Sequence, residues 1–254
     1  AFLPETRPAA LRLLSVQESV QRLQQDLERV GVLDIETTMG FFGGMAPEER
    51  RRWRSARVAL QAAGVDPDSM VWEIGFGYRG PRTRDLRVVV IRPRDNGFQR
   101  LLSQLESGAI TESALVEQML QIERHSLAHL EYQFVRHPVS AVAIYNASFD
   151  INRLLSRVRY HLQQQGLDDA ERAMLVSLER RLQEMAVIDV LRMAPEAMQV
   201  GQAMPHLTLQ DVARALFGEE IRQTHTAGED VRLLYRVTQA MATRLASEPT
   251  TLGW

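Results

Sequence analysis

The first quarter of the chain changes from helix-like to strand-like spacing of apolar residues and back again. Apolar residues about three and four apart, with Gln, Arg and Glu between them, predict a helix over residues 9–30 that Gly31 ends. VGVLDIETT then predicts a short strand, and MGFFGG predicts a loop. Residues 47–63 predict an arginine-rich helix with a proline near its first turn.

The rest of the chain predicts strands that first follow one another and then alternate with helices. MVWEIGFGYRG and LRVVVIRP predict a hairpin, because a charged turn containing Gly and Pro separates them. Later strands are predicted in VSAVAIYN and AVIDVL, and helices at 113–135, 149–165, 168–185, 207–218 and about 227–246. This order predicts an α/β fold with a mixed sheet covered by helices on both faces. The helices before Gly31 and at 47–63 are predicted to be additions to that core.

Composition bounds the class of protein. The chain has 254 residues, 45% of them hydrophobic, which suits one large domain with insertions or one domain with a small appendage. It has no cysteine, which excludes a disulfide framework and a cysteine-bearing zinc site. No apolar stretch approaches the roughly 20 residues that span a bilayer, and the first residues do not resemble a signal peptide. We therefore expect a cytoplasmic protein without a membrane partner.

The charge is nearly balanced, but its cations are all of one kind. The formal net charge of -2 gives no global signal for nucleic acid, yet all 30 cationic side chains are arginine. Either a GC-rich coding sequence or phosphate recognition explains this choice, since the guanidinium group matches phosphate geometry. Arg51, Arg52 and Arg54 flank Trp53, a combination suited to guiding a single strand by phosphate pairing and base stacking. The alternative is a solvated helix face with Trp53 packed on the core.

Two acids stand one residue apart on the first predicted strand. Residues i and i+2 of a strand point to the same face, so Asp34 and Glu36 converge. Two ionised carboxylates held together repel, and one takes up a proton unless a cation lies between them. Mg²⁺ is the natural cation for such oxygen ligands. Strand ends near water also carry such pairs by chance.

Two later stretches add acids at positions where α/β sheets bind ligands. Asp150, in YNASFDINRLL, follows a predicted strand and begins a helix. In HTAGEDVRLL, His225 lies just before a predicted helix and Asp230 lies on it. Taken singly, each of these acids also fits a solvated helix end, and the histidine also fits an ordinary loop.

In this order, DIETT, NASFD and HTAGED resemble the three exonuclease motifs of the DEDDh, or DnaQ-like, 3'-to-5' exonucleases. The third stretch matches the pattern His-x-Ala-x-x-Asp at His225, Ala227 and Asp230. WEIGFGY, VVIRP and IDVLRMA resemble further segments of the same family. The resemblance covers about residues 32–245, and the three motifs together are far more specific than any one of them.

The resemblance implies a ribonuclease H-like fold, a five-stranded mixed sheet flanked by helices, and a two-metal active site. Two Mg²⁺ (or Mn²⁺) ions would be bound by Asp34, Glu36, Asp150 and Asp230. His225 would act as the general base. Three further residues would contact the substrate or orient the site: Thr37, Thr38 and Asn146.

The resemblance also suggests how the chain is divided. Residues 1–30 would form an N-terminal helical extension, 31–246 the exonuclease domain and 247–254 a tail. Within the domain, a helical insertion at about 40–70 and an extra helix at about 167–186 depart from the minimal family pattern, as does Met39 where the family commonly has Gly. Both insertions would flank the cleft, so substrate length and strandedness do not follow from the resemblance.

The expected activity is metal-dependent 3'-to-5' removal of nucleotides from single-stranded or frayed ends. DNA is preferred to RNA as the expected substrate, because the compact oligoribonuclease form lacks insertions of this kind. The alternatives are an RNA-trimming exoribonuclease and a non-catalytic binding module that kept the fold. The N-terminal helix either docks on the core or binds a partner, such as a polymerase or a second copy of the chain.

Overall fold

A five-stranded sheet is the centre of the computed structural model, which describes residues 11–37, 47–80, 85–92, 97–198, 207–218 and 226–247. The strands are β1 (Val30–Thr37), β2 (Val71–Arg79), β3 (Leu86–Ile91), β4 (Ala141–Ile144) and β5 (Ala186–Asp189). Their order across the sheet is β3-β2-β1-β4-β5. Strand β2 is antiparallel to β1 and β3, whereas β1, β4 and β5 run parallel. The predicted α/β class, mixed sheet and hairpin are confirmed.

Helices cover both faces of this sheet, as predicted. In chain order they are α1 (Val16–Asp26), α2 (Pro47–Ala62), α3 (Gly97–Glu106), α4 (Glu112–Arg136), α5 (Ala147–Leu162), α6 (Asp169–Glu184), α7 (Val190–Met198), α8 (Leu209–Phe217) and α9 (Ala227–Ser247). One hydrophobic core joins the first sheet face to α4, α5 and α6. A second core joins the opposite face to α1, α7, α8 and α9. None of the described helices is long and apolar enough to cross a membrane.

Strand β1 shows how the sequence divides its side chains between these two cores. Leu33 and Ile35 pack in the first core, whereas Val30 and Val32 pack in the second. Because side chains alternate along a strand, Asp34 and Glu36 continue the row that begins with Val30 and Val32. The face under α9 is therefore apolar at the start of β1 and acidic at its end.

The prediction of one helix over residues 9–30 is wrong at both ends. In the described part of that segment, residues 11–15 run beside β5, where the Leu14 amide donates to Val187 O at 2.9 Å and the Val187 amide donates to Arg12 O at 3.0 Å. These bonds satisfy the exposed edge of the sheet, which outweighs helix propensity. At the other end, the 3-10 helix Leu27–Arg29 leads directly into β1.

Gly31 does not end a helix as predicted but lies within β1. A Cβ atom there would lie 2.9 Å from Phe76 Cε2, so this glycine is needed for close packing. The predicted strand AVIDVL is also too long, since α7 begins at Val190. Helix α1 docks on the core and buries Leu23, which favours the first of the two roles considered for it.

The insertion between β1 and β2 packs in a third core that it shares with α3 and α4. Trp53 of α2 is buried and packs edge-to-face on Phe98 of α3, with 5.4 Å between ring centroids. Trp72 packs on the same ring at 4.6 Å. Sequence reasoning missed α3, although Phe98, Leu101, Leu102 and Leu105 have helical spacing. The packing of Trp53 confirms the alternative in which this ring does not stack on bases.

Candidate metal centre

Four acids, here called the acidic cluster, gather at one end of the sheet: Asp34, Glu36, Asp150 and Asp230. Two lie near the end of β1, Asp150 lies in the first turn of α5 after β4, and Asp230 lies in the first turn of α9. Carboxylate oxygens of Asp34, Glu36 and Asp230 all lie within 4.8 Å of one another, the spacing of a shared metal site. Asp150 is outside this trio, but its charge raises the pKa of Asp34, so it lies beside them.

The surroundings of the cluster oppose ionisation. Burial raises the pKa of Asp34 well above its usual range, and the charges of Asp150, Asp230, Glu36 and Glu73 raise it further. Burial and the charges of Asp230 and Glu73 raise the pKa of Glu36 to about 7. Among the described residues, the charged side chains that raise these two pKa values are all acids. The arrangement therefore favours either bound protons or a bound cation.

Asp150 lies in a similar environment with one opposing cation. Burial raises the pKa of Asp150 well above its usual range, and the charges of Glu36 and Asp189 add to the rise. The positive charge of Arg153, one turn later on α5, acts in the opposite direction. Within the described residues, Arg153 is thus the cation that influences the cluster most directly.

One carboxylate oxygen of the cluster tests whether a metal would fit. Asp34 Oδ2 is buried and has no hydrogen-bond partner among the described residues. A buried polar atom without a partner is costly, and a coordinated cation would remove that cost. A site made only of carboxylate oxygens suits a hard divalent ion such as Mg²⁺ or Mn²⁺. The residues present fit such an ion.

Close packing against β2 determines where Asp230 lies. Gly75 has no side chain, and a Cβ atom there would lie 2.4 Å from the carbonyl oxygen of Ala227, the first residue of α9. The Ala227 amide donates to Glu73 Oε1 at 2.8 Å. Glu73 is buried and is directly opposite Glu36 in the β1–β2 pairing. These contacts hold the first turn of α9 against the strand that neighbours the acids.

The start of α5 is held from β5. Asn146 precedes this helix in the left-handed conformation, with φ 59°, and its side chain makes no capping hydrogen bond. Asp189 of β5 accepts from the Leu191 amide at 3.2 Å. Burial raises the pKa of Asp189, and hydrogen bonding by the backbone amides of Ala147, Leu191 and Asn146 opposes that rise. Sequence reasoning assigned Asn146 to orienting the site; the structure places its exposed side chain at the first turn that carries Asp150.

A β-bulge marks the end of β1. Glu36 pairs with Glu73 but the next residue, Thr37, pairs with Val71, which leaves Trp72 as the extra residue. Bulges are common beside active sites, where they redirect side chains. Thr37 is buried, and the paired residues Thr37 and Val71 flank the insertion. The insertion is therefore attached at the end of the sheet where the acids lie.

Two of the predicted site residues, His225 and Thr38, lie outside the described residues. The three predicted phosphate-binding arginines of α2 differ from one another. Arg51 and Arg54 are exposed, whereas Arg52 is half-buried and its Nε donates to Glu106 Oε2 at 2.5 Å. Arg52 thus already pairs an acid at the end of α3.

Sequence reasoning gave no site role to Phe149, Glu73 or Asp189. Phe149, directly before Asp150, is 47% exposed, and the Arg153 guanidinium carbon lies 5.1 Å from its ring centroid. The sequence signal for a site role of Phe149 was its position directly before Asp150, in the first turn of a helix. Glu73 and Asp189 lie in WEIGFGY and IDVLRMA, which resemble further family segments, but the resemblance assigned neither acid a role, and their contacts with distant backbone gave no local pattern.

Comparisons with protein-family models, with curated proteins and with solved structures found no match for this chain.

Proposed function

We propose that this protein is a metal-dependent 3'-to-5' exonuclease with a ribonuclease H-like fold. Its substrates would be single-stranded or frayed nucleic-acid ends, with DNA preferred, and its products nucleoside 5'-monophosphates. The observation that carries the proposal is the trio of oxygens from Asp34, Glu36 and Asp230 within 4.8 Å of one another, with the buried Asp150 beside them.

Two further lines of support come from the sheet and from the motifs. A mixed five-stranded sheet with helices on both faces is compatible with the ribonuclease H-like fold that the resemblance implies. The three stretches that resemble exonuclease motifs are more than 100 residues apart at their extremes, yet their acids converge. Unrelated solvated acids have no reason to meet in this way.

The proposed reaction is hydrolysis of the terminal phosphodiester. Two divalent cations held by the acidic cluster would supply activation of the attacking water and stabilisation of the leaving oxygen. His225 would accept the proton of that water, a role that suits an imidazole with an ordinary pKa near 6.5. The water oxygen forms a bond to phosphorus, the bond to the 3' oxygen of the preceding nucleotide breaks, and a nucleoside 5'-monophosphate leaves.

The surroundings of the cluster offer contacts for a single strand. The exposed ring of Phe149 suits stacking on a base, and Arg153 beside it suits a phosphate. The exposed Arg51 and Arg54 belong to the insertion that is attached at the same end of the sheet. Thr37 and Thr38 would lie against the terminal nucleotide, as the resemblance implies.

The experiment that tests this proposal follows degradation of 5'-labelled DNA and RNA oligomers in Mg²⁺, in Mn²⁺ and in EDTA. We expect products shortened stepwise from the 3' end of DNA in either metal, and intact oligomers in EDTA. An oligomer blocked by a 3'-phosphate is the substrate control. Degradation of RNA alone would favour the RNA-trimming alternative. If neither oligomer is degraded in either metal, the exonuclease proposal fails and the binding-module alternative is favoured.

A further inference from the structure

Two buried acids beside the cluster lie against the first turns of two helices. Glu73 of β2 accepts from the first amide of α9 at 2.8 Å. Asp189 of β5 pairs with Ile144, just before α5, and the amides at the start of that helix act to lower its pKa. Both side chains are more than nine-tenths buried. The two helices that begin there carry Asp230 and Asp150 in their first turns.

From these contacts we infer that Glu73 and Asp189 are positioning residues for the metal centre. Each ties the N-terminus of one ligand-bearing helix to a strand, and so fixes how far its acid reaches toward Asp34 and Glu36. The effect on metal binding rests on the proposed function, whereas the effect on the helix ends does not.

The electrostatics explain why acids occupy these two positions although their charges repel those of the acidic cluster. Glu73 raises the pKa of Asp34 and Glu36, and Asp189 raises that of Asp150, so both carry a cost. A helix N-terminus has unpaired amides and a partial positive charge that stabilise a carboxylate. Charge-assisted hydrogen bonds to these amides are stronger than neutral ones. A neutral cap would avoid the repulsion but would hold each helix less firmly.

Neither residue is one of the three acids whose oxygens lie close enough to share an ion, and neither belongs to DIETT, NASFD or HTAGED, the stretches from which the resemblance takes its metal ligands. Glu73 Oε1 is occupied by the Ala227 amide, and Asp189 Oδ1 by the Leu191 amide. Both acids therefore act through the helices that they hold.

The first test measures amide hydrogen exchange by NMR in the metal-free protein. Glu73→Ala removes the acceptor and is expected to speed exchange in the first turn of α9 by at least about tenfold, which is a loss of about 1.4 kcal/mol of local protection. Exchange in the first turn of α5 should stay unchanged. Asp189→Ala should have the reverse pattern. Glu73→Gln and Asp189→Asn keep an acceptor oxygen and should keep most of the protection.

The second test measures Mn²⁺ affinity by calorimetry in the same variants. Loss of a residue that orients metal ligands typically costs about 10–100-fold in affinity, so this loss is expected for both alanine variants. Glu73→Gln and Asp189→Asn should stay within about threefold of the unsubstituted protein. If each amide variant binds Mn²⁺ as weakly as its alanine counterpart, the carboxylate's negative charge, rather than its hydrogen bond to the helix, sets the affinity. The inference is then wrong.

The two tests separate this inference from the proposed function. Unchanged exchange at both helix ends in the alanine variants would overturn the positioning role whatever the protein does. If the unsubstituted protein binds no Mn²⁺ but the exchange pattern appears as expected, Glu73 and Asp189 do hold the helix ends. The proposed metal centre is then wrong. If an alanine variant does not fold, Glu73→Leu or Asp189→Leu, which removes the acceptor but fills the space, decides the outcome through the comparison of exchange at the two helix ends.

Discussion

Two groups of residues meet the same helix, α5, and differ in what surrounds their acids. The acidic cluster meets the first turn of α5 and is influenced mainly by other acids. Further along, Glu123 of α4 accepts from Arg157 at 2.6 and 2.9 Å, bonds His161 at 2.8 Å and accepts from the Val71 amide at 2.7 Å. These four residues are called the Glu123 network below.

The difference shows that burial alone does not identify a ligand site. Burial raises the pKa of Glu123, but hydrogen bonds from His161 and Arg157 and the charge of Arg157 outweigh it and bring that pKa to about 2. Burial raises the pKa of Asp34 as well, and its charged neighbours add to the rise. An acid with partners supplied by the protein stabilises the fold, whereas the buried Asp34 Oδ2, which has no hydrogen-bond partner among the described residues, leaves a place for a cation.

The largest expected effect separates the two groups by activity. Asp34→Asn should lower the rate of metal-dependent nucleotide release by at least about 10⁴-fold, as for other residues that act as a catalytic unit. In EDTA, its free energy of unfolding should be equal to or above that of the unsubstituted protein, because one repelling charge is removed. The measurements are oligomer degradation in Mg²⁺ and urea unfolding in EDTA. Normal turnover by Asp34→Asn would contradict the metal assignment.

The next effect is on stability and concerns the other group. Glu123→Ala should lower the free energy of unfolding by about 3–5 kcal/mol, because it leaves the buried Arg157 charge without its partner. Glu123→Gln, which keeps the shape and one acceptor, should lose less. Both are measured by urea unfolding, with Asp34→Asn as the matched buried-acid control. A loss in Glu123→Ala no greater than that in Asp34→Asn would remove the distinction between the two groups.

The parts of this comparison that depend on local spacing were predictable from the sequence. Period-two alternation on β1 placed Asp34 and Glu36 on one face, and the amphipathic pattern near the C-terminus predicted α9 to within one residue at each end. The acids of the three motifs were identified by resemblance. The structure brings Asp34, Glu36 and Asp230 together, with Asp150 beside them.

The parts that depend on distant backbone were not predictable. Glu73 and Asp189 are identified only by amides that lie on other elements of the fold. The Glu123 network joins residues 34 to 52 positions apart, and no local pattern marks Glu123 as different from its solvated neighbours on α4. Residues 11–15 have helical spacing, yet their backbone pairs with β5, an interaction that no local pattern reveals.

The two groups should also respond to pH in opposite directions. The pKa of Glu36 in the folded protein is about 7, above its ordinary 4.5, so its contribution to stability is complete below pH 4.5 and is lost as the pH rises to 7. The pKa of Glu123 is about 2, so its contribution is complete above pH 4.5 and is lost as the pH falls toward 2. Stability in EDTA should therefore be greatest near pH 4 to 5.

Urea unfolding in EDTA from pH 3 to 8 checks this profile. Between pH 5 and 8 the free energy of unfolding should fall by about 1–2 kcal/mol. This is less than the full pKa shift of Glu36 would give, because Glu36 is partly exposed. Glu36→Gln should reduce this loss and leave the acid side unchanged, and Glu123→Gln should do the reverse. If the free energy of unfolding instead rises steadily from pH 5 to 8 in EDTA, the negative charges of the cluster are already balanced within the metal-free protein.

The smallest expected effect extends the same distinction from acids to arginines. Arg57 forms a two-hydrogen-bond pair with Asp68 of the insertion, and Arg52 pairs Glu106 of α3. Arg51 and Arg54 are exposed on the same helix, and Arg51 makes only a longer, exposed ion pair of 3.8 Å with Glu106. If exposed arginines serve the substrate, Arg51→Gln with Arg54→Gln should weaken binding of a single-stranded DNA oligomer about five- to tenfold. Its dependence on log salt should fall by about 1.4, or about 0.7 for each lost phosphate contact.

A matched double variant makes this small effect interpretable. Arg180→Gln with Arg244→Gln also removes two exposed helix charges, but Arg244 lies 14 residues beyond Asp230 on α9, about 21 Å along the helix. Fluorescence anisotropy in EDTA, which prevents degradation, measures affinity and salt slope for both. Equal losses in the two variants would mean that total charge, rather than the position of Arg51 and Arg54, attracts the strand. A loss confined to Arg51 and Arg54 would place the path of the strand along α2 toward the acids.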